Sequence, residues 1–141
     1  MYEDLVHASC VDVDGTGVLI VGASGTGKSA LALHLMSLGA RLVADDRVVL
    51  LSEGTSLTAR SPATIKGMVE ARSVGILRAD TVSETTVVLV VDLDTEERER
   101  LPDKHMYEIC NHRLPCLRAV HAPYFPAAIL QMLKCGRQDP P

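Results

Sequence analysis

Eight consecutive residues, Gly22, Ala23, Ser24, Gly25, Thr26, Gly27, Lys28 and Ser29, form a complete Gly-x-x-x-x-Gly-Lys-Ser sequence. Each residue type has a task in binding a polyphosphate. The glycines let the backbone wrap closely and aim its N–H groups inward, while a following helix adds partial positive charge at its N-terminus. Lys28 can reach the β- and γ-phosphates, and the Ser29 hydroxyl can ligate magnesium. The flanks suit this use: residues 17–21, Gly-Val-Leu-Ile-Val, read as a buried strand, and residues 30–38 are good helix formers that stop at Gly39. Strand, glycine loop and helix together distinguish a binding site from a glycine turn that happens to fit. The motif predicts a site for a nucleoside triphosphate or something of that shape.

Phosphoryl transfer also needs oxygen ligands for a metal and a group that orients or deprotonates the nucleophile. Asp45, Asp46, Glu70 and Asp92 are the candidates. Asp92 closes the apolar run 87–91 in the manner of a Walker B aspartate. Asp45 and Asp46 end a short strand, residues 41–46, directly after the P-loop helix. Neighbours on a strand point to opposite faces, so one of the two would face the site unless the strand ends there. The plainer alternative on pattern alone, and the lesser one, is that both carboxylates cap a turn.

The elements that must position these groups are mostly strands. Residues 6–13 read as a first strand, 12–17 as a turn, 48–51 as another strand, 52–55 as a turn and 57–59 as a short return strand. Residues 60–79 are mixed, broken at Ser61-Pro62 and Lys66-Gly67. Residues 85–93, Thr-Thr-Val-Val-Leu-Val-Val-Asp-Leu, are the strongest strand, and the unbroken apolar run predicts burial on both faces. Residues 94–100 are charged and solvated. Ile109 and residues 114–120 suggest a last strand or two, and residues 123–135 fit a closing helix with Gly136 as its stop. The expected organisation is one domain over residues 1–136 with a tail at 137–141. Ordinary doubly wound nucleotide-binding domains alternate strand and helix. Here the strands are too closely spaced for helical crossovers, so much of the sheet should be antiparallel.

Composition narrows the class. With 141 residues, 47% of them hydrophobic, the chain can build one core. A net charge of −4 and a pI near 5.7 argue against binding nucleic acid by bulk electrostatics. With no Trp and one Phe, Phe125, stacking platforms are scarce. No apolar run approaches bilayer-spanning length and the first residues lack a signal peptide's basic start, so a cytoplasmic protein without a membrane partner is expected. Cys10, Cys110, Cys116 and Cys135 lack convincing metal spacing and read as reduced, small apolar fillers.

Residues 18–29, Val-Leu-Ile-Val-Gly-Ala-Ser-Gly-Thr-Gly-Lys-Ser, with residues 41–48, Arg-Leu-Val-Ala-Asp-Asp-Arg-Val, closely resemble the catalytic domain of the HPr kinase/phosphorylase family. That family phosphorylates a serine of the phosphocarrier protein HPr and can reverse the reaction. The likeness reaches back to His7 and forward to residues 65–76, which resemble the signature Glu-Ile-Arg-Gly-x-Gly-Ile. It implies an α/β domain of the HPr kinase type of P-loop kinase, with a mixed, largely antiparallel sheet and few helices. It implies ATP and Mg2+ as cofactors, with Lys28 on the β-phosphate and Ser29 and Glu70 as magnesium ligands. Asp46 matches the base on the attacking serine, with Asp45 beside it holding the metal or its water. Spacing by itself does not choose between these two aspartates as base. His7 matches a residue close to the phosphates. Arg100, before Leu101, is the best match to a family arginine that would offset transition-state charge, contributed by a neighbouring subunit. The implied partners are HPr or an HPr-like phosphocarrier and further copies of the chain, as a hexamer.

Three departures shape the expectation. The resemblance starts almost at the first residue, as in a short form made of the catalytic domain. Ser73 stands where the signature has its second glycine. Residues 117–123 lack the glycine turn and second arginine of the family's Pro-x-Arg-Pro-Gly-Arg-Asn segment, tied to phosphoserine dephosphorylation. The expected activity is therefore an HPr serine kinase with weak or absent phosphorylase activity. The alternatives are another P-loop NTPase or small-molecule kinase, and a nucleotide-sensing module that does not turn over.

Overall fold

The computed structural model describes residues 2–140. Its strands are β1 Tyr2–Val6, β2 Ala8–Val13, β3 Thr16–Val21, β4 Arg41–Ala44, β5 Val48–Glu53, β6 Ser56–Arg60, β7 Met68–Ala71, β8 Gly75–Arg78, β9 Glu84–Glu96, β10 His105–Ile109 and β11 His112–Ala119. The helices are α1 Lys28–Ser37 and α2 Phe125–Cys135, with one 3-10 turn at Ala63–Ile65. Strand order in the main sheet is β1-β5-β6-β9-β3-β2-β4, and the β10–β11 hairpin joins through β11 to the far half of β9. β7 and β8 form a separate hairpin.

β9 is the spine of the sheet. Its first residues pair with β6 and its later ones with β11, while β3 lies along the other side. β3 and β11 both run parallel to β9; the other pairings described are antiparallel. The sheet is thus mixed and largely antiparallel, as the close strand spacing predicted. The C-terminal ends of the three mutually parallel strands open on one edge.

The two faces of the sheet bury different clusters. Val11, Val18, Ile20, Leu89 and Val91 pack with Leu31, Leu35, Phe125 and Ile129 from the helices. Ala8, Leu19, Val43, Leu50, Leu57, Val87 and Val90 close the other side, where the sheet packs on itself. Val87 and Val90 share a face because the β3–β9 register slips between Gly17 and Val18, a bulge that inserts one residue. The apolar run of β9 is buried on both faces over Val87–Val91 except for half-buried Val88, as its composition requires.

Several boundaries differ from expectation. The strand predicted at 6–13 is broken at His7, because β1 pairs with β5 whereas β2 pairs with β3 and β4. The turn predicted at 12–17 is confined to Asp14-Gly15, both at positive φ, the signature of a two-residue hairpin. The strand at 41–46 stops at Ala44, and β9 continues through the charged stretch to Glu96. Strand β1 and the β7–β8 hairpin fall where the sequence read as unassigned or mixed. Helix α2 begins two residues later than predicted and ends before Gly136, as expected. Among the described residues all four cysteines are free; burial and the nearby Asp12 push the Cys10 thiol far up, consistent with an inert filler. Among the described residues no helix is long and apolar enough to cross a membrane.

Gly17 sits at the register slip between β3 and β9: a Cβ there would lie 2.6 Å from Thr85 Cγ2 and 3.0 Å from the Thr86 carbonyl oxygen. Gly17→Ala should lower stability by about 1–3 kcal/mol, because one contact is backbone that cannot rotate away. Urea denaturation checks this, and an unchanged midpoint would show that the bulge accommodates the methyl.

Candidate active site

The P-loop leaves β3 and enters α1 with the geometry its glycines permit. Gly22 has φ +151°, and a Cβ on it would lie 2.6 Å from Thr26 Oγ1, so the first position of the motif has no room for a side chain. Thr26 closes the loop by donating its hydroxyl to the Ala23 carbonyl at 2.8 Å. Gly27 is the N-cap of α1, and no side chain caps the helix there. The first N–H groups of α1 thus lack a side-chain acceptor, the condition for anion binding at a helix start. Lys28 is buried and donates its ammonium to the carbonyls of Gly22 at 2.8 Å and Ala23 at 3.1 Å, keeping its charge within the loop. Ser24 and Gly25 are exposed at the loop's tip.

Asp45 is the hub of the arrangement. It follows the last residue of β4 and is only 7% exposed. Its Oδ1 accepts the Ser29 hydroxyl at 2.7 Å and the Ser9 hydroxyl at 2.7 Å, and its Oδ2 accepts the Glu70 backbone N–H at 3.2 Å. A buried carboxylate is tolerable when it accepts several hydrogen bonds in this way. One side chain therefore ties together α1, β2, β4 and β7. Ser9, fully buried on β2, was missed in the sequence, although a hydroxyl inside an apolar strand is itself a signal that a polar partner lies within reach.

Asp46 is turned the other way. Its φ of +68° swings the chain out of the strand, and its carboxylate Oδ1 lies 2.6 Å from His7 Nε2. Both side chains are open to solvent, 63% for Asp46 and 56% for His7. The two adjacent aspartates thus have separate surroundings, one buried against the P-loop serine and one exposed beside a histidine. The Ala8 backbone N–H donates to the Asp46 carbonyl at 3.2 Å, which holds the His7 break against this turn.

Glu70 is exposed on β7, a strand that packs against α1. Ser73, in the turn that follows, adopts φ +67°. The serine therefore keeps a left-handed backbone at a position the signature gives to glycine, a conformation that costs a non-glycine residue about 1–2 kcal/mol. Among the described residues no cluster of three or more His, Cys, Asp or Glu forms a ready metal cage. The donor set at Ser29 and Asp45 is a hydroxyl and a carboxylate in contact, which are hard oxygen ligands. They fit magnesium, an ion that keeps waters and shares substrate phosphate oxygens rather than taking an all-protein cage.

Two acidic residues near β9's end are placed differently from the Walker B expectation. Asp92 accepts the Asp94 N–H at 2.9 Å and, after desolvation by burial, helps raise the Tyr107 hydroxyl's pKa, so it serves the β10–β11 side. Asp94 reaches the loop instead, accepting the Ala23 N–H at 2.8 Å. Arg100 is exposed between β9 and β10 and, among the described residues, makes no hydrogen bond or ion pair with the other candidates. Its segment is nevertheless anchored. Glu97 accepts His105 Nε2 at 2.8 Å and the Arg98 and Glu99 N–H groups at 3.0 and 3.2 Å, and its own N–H donates to Ala119 at 2.9 Å.

Fold and site together define a P-loop domain built on a mostly antiparallel sheet. The HPr Serine kinase C-terminal domain family matches residues 2–119, and the chain belongs to that family. It is 41% identical over 108 residues to an HPr kinase/phosphorylase of Listeria monocytogenes, a match covering 71% of this chain and 33% of that protein. It is 38% identical over 109 residues to an HPr kinase/phosphorylase of Clostridium acetobutylicum, covering 72% of this chain and 36% of that one. The matches thus span about a third of these relatives' length. The solved HPr(Ser) kinase/phosphatase of Coxiella burnetii shares the fold, with a TM-score of 0.78 at 24% identity over 93% of this chain and 88% of that one.

Glu97 yields a pH prediction. Its burial acts to raise its pKa, but the His105 contact and the two backbone N–H bonds outweigh this and hold the carboxyl below its usual range. Because the folded value lies below the unfolded one, the anchor contributes fully above the ordinary glutamate range and is lost as pH falls through the folded value. Protection of the amides of residues 97–104, taken relative to their intrinsic exchange rates at each pH, should therefore be high at pH 6 and fall below about pH 4. Glu97→Gln should show low protection at both pH values, and protection equal to wild type in the variant would remove Glu97 as the anchor.

Proposed function

We propose that this domain is an ATP-dependent protein serine kinase acting on HPr or an HPr-like phosphocarrier. The observation that carries the reading is the 2.7 Å contact between Ser29 and Asp45, with exposed Asp46 adjoining it in the chain. It joins a phosphate loop to a carboxylate pair in which one member is buried and the other open to a large substrate.

The roles follow from these surroundings. The loop backbone from Gly22 to Gly27 and the start of α1 cradle the phosphates of ATP, and Lys28 moves from its carbonyl partners to the β-phosphate. Ser29 and Asp45 would hold Mg2+, with Glu70 as a further ligand. The ion, when bound, neutralises charge on the phosphate oxygens. Asp46 is the base: a group that takes a proton from a serine on another protein must be reachable, and its carboxylate is exposed where that of Asp45 is not. His7 holds one Asp46 oxygen and so orients the other toward the acceptor. In the reverse direction Asp46 would return the proton. Arg100 acts on the transferring group from a neighbouring copy in a homo-oligomer, a hexamer by family, which accords with its making no hydrogen bond or ion pair among the described residues. Phosphorylase activity is weak or absent, because residues 117–123 carry neither the glycine turn nor the second arginine of the family segment. The reaction belongs to the cytoplasm, where phosphocarriers of this class work.

Transfer of labelled γ-phosphate from MgATP to a serine of purified HPr tests the reading. Lys28→Ala and Asp46→Ala should each lower the rate by about 10²–10⁴-fold, the usual weight of a positioned acid–base or electrostatic group. ATP binding without transfer to HPr would refute the kinase reading. Release of phosphate or pyrophosphate from seryl-phosphorylated HPr at a rate comparable to the kinase reaction would refute the loss of the reverse activity.

A further inference from the structure

Ser9 stands where an apolar residue would be expected. It lies on β2 between Ala8 and Cys10, which face one core cluster, and it shares with Val11 the face against which α1 packs. The residue is fully buried, and its hydroxyl donates to Asp45 Oδ1 at 2.7 Å. That oxygen also accepts the Ser29 hydroxyl at 2.7 Å. The β2–β4 ladder arranges this meeting. Cys10 pairs with Ala44 but Val11 pairs with Leu42, so β4 carries one extra residue, Val43. The next rung therefore sets Ser9 opposite Asp45, where an unbroken register would set it opposite Ala44. A bulge of this kind re-aims a side chain while leaving the rest of the sheet paired.

We infer that Ser9 is a positioning residue for magnesium: its hydroxyl fixes the orientation in which the Asp45 carboxylate, together with Ser29, takes up the ion. The inference rests on the proposed function. Three observations carry it. An ionised carboxylate has about four acceptor directions, and Ser9, Ser29 and the Glu70 N–H occupy three of those on Asp45. One direction is left for a metal or its water, and it is aimed only as firmly as the other bonds hold the group. Asp45 itself follows the end of β4, so these bonds must do the holding. Of the three donors, Ser29 is itself a candidate ligand and Glu70 belongs to a hairpin outside the main sheet. Among the described residues, Ser9 is the donor to Asp45 that is fixed in the main sheet, on a strand paired with β3 on one side and β4 on the other. Finally, Ser9 has no exposed surface, so it reaches neither nucleotide nor acceptor and acts through Asp45 alone. Hydrogen bonds to metal-holding carboxylates commonly change metal affinity by about 10–100-fold.

Threonine and valine have nearly the same shape, and only threonine carries the hydroxyl. Calorimetric titration of the full chain with ATP, in magnesium and again with the metal chelated, therefore compares wild type with Ser9→Thr and Ser9→Val. Ser9→Ala, which removes only the oxygen and adds no bulk, is read beside them and decides the matter if valine prevents folding. Wild type and Ser9→Thr should share the same tightening of ATP binding by magnesium. In Ser9→Val and Ser9→Ala that tightening should shrink by about tenfold, with metal-free ATP binding equal in all four proteins. A full magnesium effect in the valine and alanine variants would overturn the role of Ser9 and spare the assignment of Ser29 and Asp45. Equal weakening with and without magnesium would also overturn it, since the effect would then be one of packing. So would a loss in Ser9→Thr as large as that in Ser9→Val, which would trace to bulk and not to the hydroxyl. Wild type that binds ATP equally well with and without magnesium would overturn the metal assignment and this inference with it.

Discussion

The carboxylate of Asp45 holds the site together. It accepts hydrogen bonds from a P-loop serine, a buried strand serine and the backbone of Glu70, and these donors come from three elements far apart in the chain. Removing it would leave the Ser9 hydroxyl buried without a partner, a loss of about 1–3 kcal/mol, and would take away the bonds that tie Ser29 of α1 and the Glu70 backbone of β7 to one group. The same bonds make the site's geometry a consequence of the fold. β4 must end at Ala44 for Asp45 to turn toward α1, and the left-handed backbone of Asp46 then sends the next carboxylate to His7. Two identical side chains acquire different surroundings because the strand stops between a buried and an exposed direction.

The sheet explains why the loop and the charged 97–104 segment share one edge. β9 runs parallel to both β3 and β11, so their ends come out together, and the remaining antiparallel strands close the far side. Neither helix has to cross the sheet for this. α1 both follows the P-loop and meets Asp45 through Ser29.

What could be read from the sequence was what is local. The P-loop, its strand and its helix were legible because glycine spacing, β-branched residues and helix formers lie in one continuous stretch. The burial of β9 on both faces followed from its unbroken apolar run. The pairing partners were not legible: residues 6–13 look like one strand, and only the two separate ladders show why the chain breaks at His7. β7, β8 and the turn between them carry exposed Met68, Val74 and Ile76 and no clean alternation, so their hairpin had no pattern to announce it. Ser9 and Asp94 were overlooked because their partners lie 36 and 71 residues away. The resemblance pointed to Asp45, Asp46, Glu70 and His7, and the fold brings Ser29 to Asp45 and His7 to Asp46. Among the described residues it leaves Arg100 apart from them.

In the proposed function Asp45 and Ser29 form the metal side of a nucleotide site while Asp46 faces the acceptor. Titration with ATP in the presence of magnesium and again with the metal chelated, for wild type and Asp45→Asn, tests it most directly. Asparagine keeps the shape and can still accept the Ser29 hydroxyl, but it withdraws the charge. In wild type, magnesium should tighten ATP binding by about 10–100-fold, the weight usual for groups that support a bound metal, and in Asp45→Asn that gain should nearly vanish. A metal-dependent gain of the same size in both proteins would contradict the assignment and move the metal away from Asp45.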